Sequence, residues 1–587
     1  MDSTIGDLAG NSSRIEALGK IAAQNGANVA ITTELAICGY PPRDLLLQPD
    51  FVKMSFQRAR NLDVEIPLLV GTPTPPDKDR QLPSNSVVRA GPIEVKSNGE
   101  QSNRIIAKKQ LLPSYDVFDE TRYFTPAKES GLCQDIGELN LGVTICEDAW
   151  QAAGLTPSTY GKDPIENLAE MTRNGISLDA TVNLSASPYH ADKVSSRIAV
   201  CRQAAKILDH PFLLANQVGG NDDLLFDGCS LVAWPDGQVV IGPSWKEGVL
   251  LVDLDQPNMC QWFDLSLADS LSVGNSVIKH VSSDLDGHEG FSDLIDDITD
   301  AVITGLADYC RKSGIKSVVL GLSGGIDSAV AACVAAAAVG PENVLGIAMP
   351  SRYSSQHSID DAKYTAQALG IEFKIESIDG MHSNLESQIG EMLTAGSSVA
   401  SENIQSRLRG IIVMAHANAQ GRMAIATGNK SELAQGYCTL YGDMAGGYTP
   451  LGDLYKMQVY ALADVFNKRA LDFGLKAPIS KSTLTKPPSA ELAPDQKDED
   501  SLPPYDVLDE ILRLHIEQTM DADDIAGKGF NRETVIDVLS RLERNEHKRW
   551  QMSPAPRVTS KAFGQGWRRP LASVSYTHLR AHETTLD

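Results

Sequence analysis

The chain has 587 residues, too many for one hydrophobic core, so at least two domains are expected. Lys and Arg number 52 against 76 Asp and Glu, and the net charge of -24 opposes phosphate backbones and anionic lipid, which argues against nucleic acid or a membrane as partner. No apolar run reaches bilayer-spanning length, no charged-then-apolar leader opens the chain, and nine cysteines are scattered without metal-ligand spacing, so a reducing cytoplasmic setting is expected.

In chain order, Thr-Ile-Gly-Asp-Leu-Ala-Gly-Asn follows almost at once over residues 4–11, leaving no room for a strand before that turn, so an opening strand is expected to be missing. Short β-rich runs at residues 29–32, 67–70, 141–145 and 180–184, then at 318–322, 344–348 and 424–427, alternate with amphipathic segments. Such alternation predicts an α/β fold in both halves. Residues 265–290 lose the pattern and become rich in Ser, Asp and Gly, the composition of a connector. The expected division is therefore a first domain over residues 1–274, a linker over 275–290 and a second domain over 291–572. A second irregular stretch, 481–504, carries prolines and an acidic run from Asp498 to Asp500, and reads as a surface loop or lid rather than a helix or strand. Residues 573–587 have no apolar period and resemble adapter-derived read-through.

The most specific motif is Leu-Gly-Leu-Ser-Gly-Gly-Ile-Asp-Ser at residues 320–328, set between a β-branched run and the Ala/Val-rich stretch 329–338. This predicts a strand, a tight turn and a helix. Gly324 and Gly325 permit positive φ and close approach of backbone N–H groups, and the helix start adds favourable dipole for an anion. The loop lacks the Gly-Lys-Ser/Thr ending of a Walker A motif. It resembles the loop of the ATP pyrophosphatases, which adenylate a substrate and release pyrophosphate.

In the first half, Leu-Gly-Val-Thr-Ile-Cys146 places a thiol at the end of an apolar strand, where it can be exposed and activated as a nucleophile. Glu34 follows another apolar run, and Lys108-Lys109 presents an amine near a third. Together these resemble the nitrilase, or carbon–nitrogen hydrolase, superfamily. By that resemblance Glu34 takes the thiol proton, Cys146 attacks an amide carbon, and Lys109 stabilises the oxyanion, with Lys108 as the alternative amine. Cys38 lacks an apolar strand before it and is expected only to pack.

An amidase joined to an adenylating unit suggests that one makes ammonia and the other consumes it. Gly-Asp-Leu-Ala-Gly-Asn at 6–11, Leu-Pro-Ser-Tyr-Asp-Val-Phe-Asp-Glu at 112–120, Gln-Val-Gly-Gly-Asn-Asp at 217–222, Thr-Gly-Asn-Lys-Ser-Glu at 427–432 and Lys-Pro-Pro-Ser-Ala-Glu at 486–491 look like those of the glutamine-dependent NAD synthetases. The likeness runs from about Ile5 to Pro570. It implies a nitrilase-like α-β-β-α sandwich followed by a doubly wound parallel-sheet domain, and ATP-dependent amidation of deamido-NAD. It assigns Tyr115, Ser187 and Lys193 to glutamine, and Gly321, Leu322, Ser323, Gly324, Gly325, Ile326, Asp327, Ser328 and Thr427 to ATP. Asn403, Glu432, Tyr437, Cys438, Thr439, Leu440 and Lys548 match deamido-NAD contacts. Asp327 and Glu432 offer hard oxygen ligands for Mg²⁺, while Lys456 and Lys486 are further candidates for phosphate or carboxylate contacts. The family also implies a symmetric homo-oligomer and a dry passage for ammonia. Asp116 stands where the family commonly has glycine. Other ammonia-consuming adenylators share the Ser-Gly-Gly loop but resemble different amidase partners, and an RNA-modifying adenylator would want a basic face that this charge denies.

Overall fold

The computed structural model describes residues 1–77, 81–92, 104–157, 159–265, 278–281, 294–394, 399–489, 491–492 and 498–572. Met1–Ser292 and Asp293–Asp587 form two compact units.

In the first unit, β1 (Ala30–Ile31), β2 (Leu68–Thr74), β3 (Ser84–Ala90) and β4 (Ile105–Lys108) form one sheet in that order, with β1 and β2 parallel and the rest antiparallel. The second sheet is built on β5 (Gly131–Ile136), β6 (Leu139–Ile145), β7 (Ala180–Ser185) and β8 (Phe212–Asn216). Here β6, β7 and β8 run parallel, and β5 pairs antiparallel with β6. Beyond β8, Leu231–Ala233, Val239–Ile241 and Lys279–Val281 extend the sheet in antiparallel pairs.

Period-two alternation explains the layering. On the first sheet, Leu69 and Val87 face inward and meet Val143, Ile145, Val182 and Leu184 of the second. Their neighbours Leu68, Val70, Val88 and Ala90 face outward onto α1 (Leu8–Gln24) and α2 (Pro49–Arg60) through Ile15 and Ala59. The second sheet is covered on its outer side by α3 (Pro164–Arg173) and α4 (Lys193–Leu208), with Leu168, Ile198, Phe212 and Leu214 in one cluster. The result is the expected α-β-β-α sandwich.

The second unit carries a four-stranded parallel sheet made of Val318–Gly321, Val344–Ala348, Glu372–Ile375 and Met423–Ile425. Its order runs third, second, first, fourth, so the chain reverses its progress beside Val318–Gly321. Ligands of open α/β sheets bind at such a reversal. The helix Ile326–Val339 starts there, directly after the Ser-Gly-Gly turn.

Two expectations need correction. Lys279–Val281, read as connector, is the edge strand of the first unit's second sheet, pairing Val239 with Val281. Three residues are too few for periodicity to register. Lys481–Thr485, read as loop, is a short helix whose N-cap Ser480 accepts from the Thr483 N–H at 3.0 Å. The prolines after Lys486 end it, which is why the composition read as irregular. Most of the remaining connector, and residues 573–587, lie outside the described residues. Among the described residues no helix is long and apolar enough to cross a membrane.

Candidate active sites

In the first unit, the ends of β1 and β6 and the residue after β4 converge. Gly71 permits this, because a Cβ there would sit 2.4 Å from the Thr33 carbonyl oxygen. Glu34 is fully buried, and its Oε1 receives Lys109 Nζ at 2.7 Å and Asn85 Nδ2 at 2.7 Å. Its Oε2 receives the Ala186 N–H at 3.2 Å. Lys109 Nζ also donates to Glu120 Oε1 at 2.8 Å, and the Tyr40 hydroxyl donates to the same oxygen at 2.9 Å. One ammonium thus lies between two buried carboxylates. Burial would lower the Lys109 pKa, but Glu120 and Glu34 outweigh it and hold the amine protonated. Burial lifts Glu120 to about 7 against the pull of Lys109.

Cys146 begins a short 3-10 turn at φ 45°, a conformation that side-chain-bearing residues rarely adopt outside sharp turns. Its thiol is pushed up by burial first and by the Glu34 charge second, while Lys109 and the Ser185 hydroxyl pull it down. The resting thiol therefore keeps its proton, with the Glu34 charge close enough to favour that form. Lys108 points the other way and pairs with Asp77 at 2.9 Å, as alternation at a strand end requires.

Beside the thiol, the Glu147 carboxylate receives the Tyr115 hydroxyl at 3.0 Å and the Tyr160 hydroxyl at 3.0 Å. Lys193 Nζ lies 4.2 Å from the Trp150 ring centroid, and its charge favours ionised Glu147, whose pKa burial raises. Ser187 is buried one residue after Ala186, with its N–H on Asn216 Oδ1 at 2.9 Å. Asp116 takes φ 51°, a left-handed backbone that glycine adopts more readily than other residues.

In the second unit a cavity of about 310 Å³ opens at the sheet's reversal point. Gly324 takes φ +83°, and a Cβ there would lie 2.1 Å from the Ser358 carbonyl oxygen. The turn is closed by Ser323 and Ser328: their hydroxyls lie 3.1 Å apart, Ser328 Oγ accepts the Ser323 N–H at 3.2 Å, and Ser323 Oγ accepts the Gly325 N–H at 3.2 Å. Asp327 Oδ2 receives Lys456 Nζ at 2.6 Å, and Lys456 also reaches Glu432 Oε1 at 3.1 Å. Asn429 Nδ2 donates to Asp327 Oδ1 at 2.7 Å. Burial and then Asp327 lift Glu432 to about 8, against the pull of Lys456. On another wall Lys486 Nζ pairs with Glu491 Oε1 at 2.6 Å and with Ser358.

Residues 1–263 match the carbon–nitrogen hydrolase family and residues 298–552 match the NAD synthase family. Over 580 residues the chain is 39% identical to the glutamine-dependent NAD(+) synthetase of Synechocystis sp., covering 98% of each protein. It is also 39% identical to that of Thermotoga maritima, covering 98% of this chain and 97% of the other. The chain belongs to the glutamine-dependent NAD(+) synthetases. It is a carbon–nitrogen ligase with a glutaminase unit and an NAD synthase unit. Among solved structures, the glutamine-dependent NAD+ synthetase of Acinetobacter baumannii in complex with ADP superposes with a TM-score of 0.68 at 31% identity, covering 97% of both chains. That of Cytophaga hutchinsonii gives 0.74 at 19% identity over 100% of this chain and 98% of the other, a likeness of fold.

Of the residues singled out from sequence, Glu34 and Lys109 meet directly and Cys146 lies within their field. Tyr115 and Lys193 gather at Glu147. Gly321, Leu322, Ser323, Gly325, Ile326, Asp327, Ser328 and Thr427 line the second cavity, as do Glu432, Tyr437, Cys438, Lys456 and Lys486. Asn403, Thr439, Leu440 and Lys548 are not among its lining residues. Thr439 donates to Asn403 at 2.9 Å, Lys548 braces the Gly436 and Cys438 carbonyls at 2.7 and 2.8 Å, and the Leu440 carbonyl accepts from Arg407 at 3.3 Å.

Sequence reasoning gave no role to Glu120, although it closes the motif at 112–120, nor to Asn85 and Tyr160, nor to Arg409, which lines the second cavity and donates to the Met349 carbonyl at 3.1 Å. Their contacts run across the fold, where local pattern does not reach. Asn429 carried a readable signal: Asn-Lys-Ser-Glu is a capping box, and Asn429 Oδ1 accepts the Glu432 N–H at 2.9 Å.

Among the described residues no group of three or more His, Cys, Asp or Glu is arranged to hold a metal alone. Asp327 and Glu432 nevertheless fit Mg²⁺. They are two hard oxygen donors lining one cavity and joined through Lys456, and a cation there would favour the ionised form of Glu432 that burial opposes; Mg²⁺ commonly takes one or two protein carboxylates and completes its shell with phosphate and water.

Proposed function

We propose that the chain amidates the nicotinic acid carboxylate of deamido-NAD in two linked half-reactions. In the first unit Cys146 Sγ attacks the side-chain amide carbon of glutamine as Glu34 accepts its proton. Lys109 and neighbouring donors stabilise the oxyanion. Glu34 returns the proton to the departing nitrogen, ammonia leaves, and water then cleaves the thioester to glutamate. Glu147, buried and hydrogen-bonded by Tyr115 and Tyr160, supplies a fixed negative charge for the substrate's α-ammonium, and Ser187 and Lys193 complete the pocket.

In the second unit a carboxylate oxygen of deamido-NAD attacks the α-phosphorus of ATP, pyrophosphate leaves, and ammonia displaces AMP from the acyl-adenylate to give the amide. The turn from Ser323 to Ser328 cradles the phosphates through backbone N–H groups and the helix start. Asp327 and Glu432 would hold Mg²⁺, which offsets charge on the departing pyrophosphate. Lys456, Lys486 and Arg409 add positive charge around the same cavity. Tyr437 and Cys438 face the deamido-NAD side, with Asn403, Thr439, Leu440 and Lys548 shaping its wall. Water would protonate most free ammonia at neutral pH and so remove its nucleophilic lone pair. The reading therefore includes passage of ammonia from one unit to the other without equilibration. Nine cysteines scattered without metal-ligand spacing suit a reducing compartment.

The observation that carries this reading is the buried chain Glu34–Lys109–Glu120 beside the Cys146 thiol, in a chain related over 98% of its length to a glutamine-dependent synthetase. Assays with deamido-NAD, ATP and Mg²⁺, supplied with either glutamine or ammonium, test it in the wild type and in Cys146→Ala. The variant is expected to lose glutamine use and keep ammonium use. Loss of both in a folded variant, or retention of both, contradicts the division of labour.

A further inference from the structure

The geometry points to Asp148 as a positioning residue that fixes the separation of Cys146 and Lys109. The inference rests on the glutaminase reading above. These two groups come from different strands, and their distance must be held closely for the ammonium to meet the oxyanion. Asp148 is 1% exposed and bridges the two backbones. Its Oδ1 accepts the N–H groups of Gln110 and Leu111 at 3.0 and 2.8 Å, the two residues that follow Lys109. Its Oδ2 accepts the N–H of Ile145 at 3.0 Å, the residue before Cys146. The lysine segment is anchored on its other side as well, since Lys109 N–H donates to the Asn85 carbonyl at 2.8 Å and the Lys109 carbonyl accepts from Ala127 at 2.9 Å. The cysteine side has more need of a clamp, because Cys146 holds its left-handed backbone only while the surroundings impose it. One carboxylate therefore ties the strained elbow at Cys146 to the segment that carries Lys109.

The two oxygens make the inference specific. Asp148→Asn keeps a carbonyl oxygen for Gln110 and Leu111 but turns an NH₂ toward the Ile145 N–H, so donor faces donor and the elbow is released. In the full-length enzyme this variant is expected to lower kcat with glutamine by roughly 10²-fold, with KM for glutamine little changed. Its ammonium-dependent rate should stay at the wild-type level, and the pH profile of Cys146 alkylation by iodoacetamide should be displaced. Asp148→Glu retains both oxygens but is longer by one methylene, and should show the same split of kcat from KM. It decides the question if Asp148→Asn does not fold. A folded variant with wild-type kcat and alkylation profile overturns the proposal, and unfolding of both variants overturns it by reducing Asp148 to a stability role. Cys146→Ala serves as the control. If that variant still uses glutamine, the glutaminase reading fails and this inference falls with it. If it does not, a normal Asp148→Asn counts against Asp148 alone.

Discussion

At the scale of residues, the first site is governed by a charge imbalance: two buried carboxylates share one buried ammonium. Two like charges in a dry site cannot both ionise freely, and the cost falls on Glu120. Its carboxyl moves from 4.5 to about 7, with burial the largest cause. Between those two values the native state holds a proton that the unfolded chain has released, so the contribution of Glu120 to stability falls as pH rises through that window. Glu120→Gln removes the titration. The stability of the variant relative to wild type, from urea unfolding across pH, is expected to improve between about pH 4.5 and 7 and to level off above. A difference that stays flat would show that Glu120 titrates normally. The same residue marks a limit of the sequence reading. Glu34 and Cys146 stand at the ends of visible apolar runs, whereas Glu120 lies in an irregular stretch and matters only because Lys109 and Tyr40 reach it.

At the scale of elements, the strand, turn and helix around Gly324 carry their own specification. An Ala side chain at Gly324 would require a strained backbone and would press on the Ser358 carbonyl. Gly324→Ala should therefore displace the turn and lower synthesis of NAD from ammonium by on the order of 10²-fold, while glutamine hydrolysis in the other unit persists. Wild-type synthesis in this variant would remove the turn from the ATP site. This element was legible because its chemistry is local: two glycines, a β-branched run and an Ala-rich helix suffice. The helix Lys481–Thr485 and the strand Lys279–Val281 were not, since five and three residues give periodicity too little length and both depend on neighbours for their form. The amidase residues fall between these cases. Apolar runs place Glu34 and Cys146 at strand ends, but only the likeness to a known family joined them to Lys109 before the structure did.

At the scale of the whole molecule, a chain of net charge -24 is read as binding two polyanions, ATP and deamido-NAD. Attraction must then be local, and in this reading it falls to the N–H groups of the Ser-Gly-Gly turn and to Arg409 on the same cavity, since Lys456 and Lys486 already pair with Asp327, Glu432 and Glu491. The two units each have their own core, so the account depends on their chemical cooperation more than on either fold. The most direct measurement supplies amide-¹⁵N glutamine together with a large excess of unlabelled ammonium at neutral pH and follows the nicotinamide nitrogen of the NAD formed by mass spectrometry. Product nitrogen that remains mostly ¹⁵N is the predicted result, since nitrogen released at Cys146 would reach the acyl-adenylate before it mixes with the medium. Product whose label matches the diluted pool would contradict the transfer.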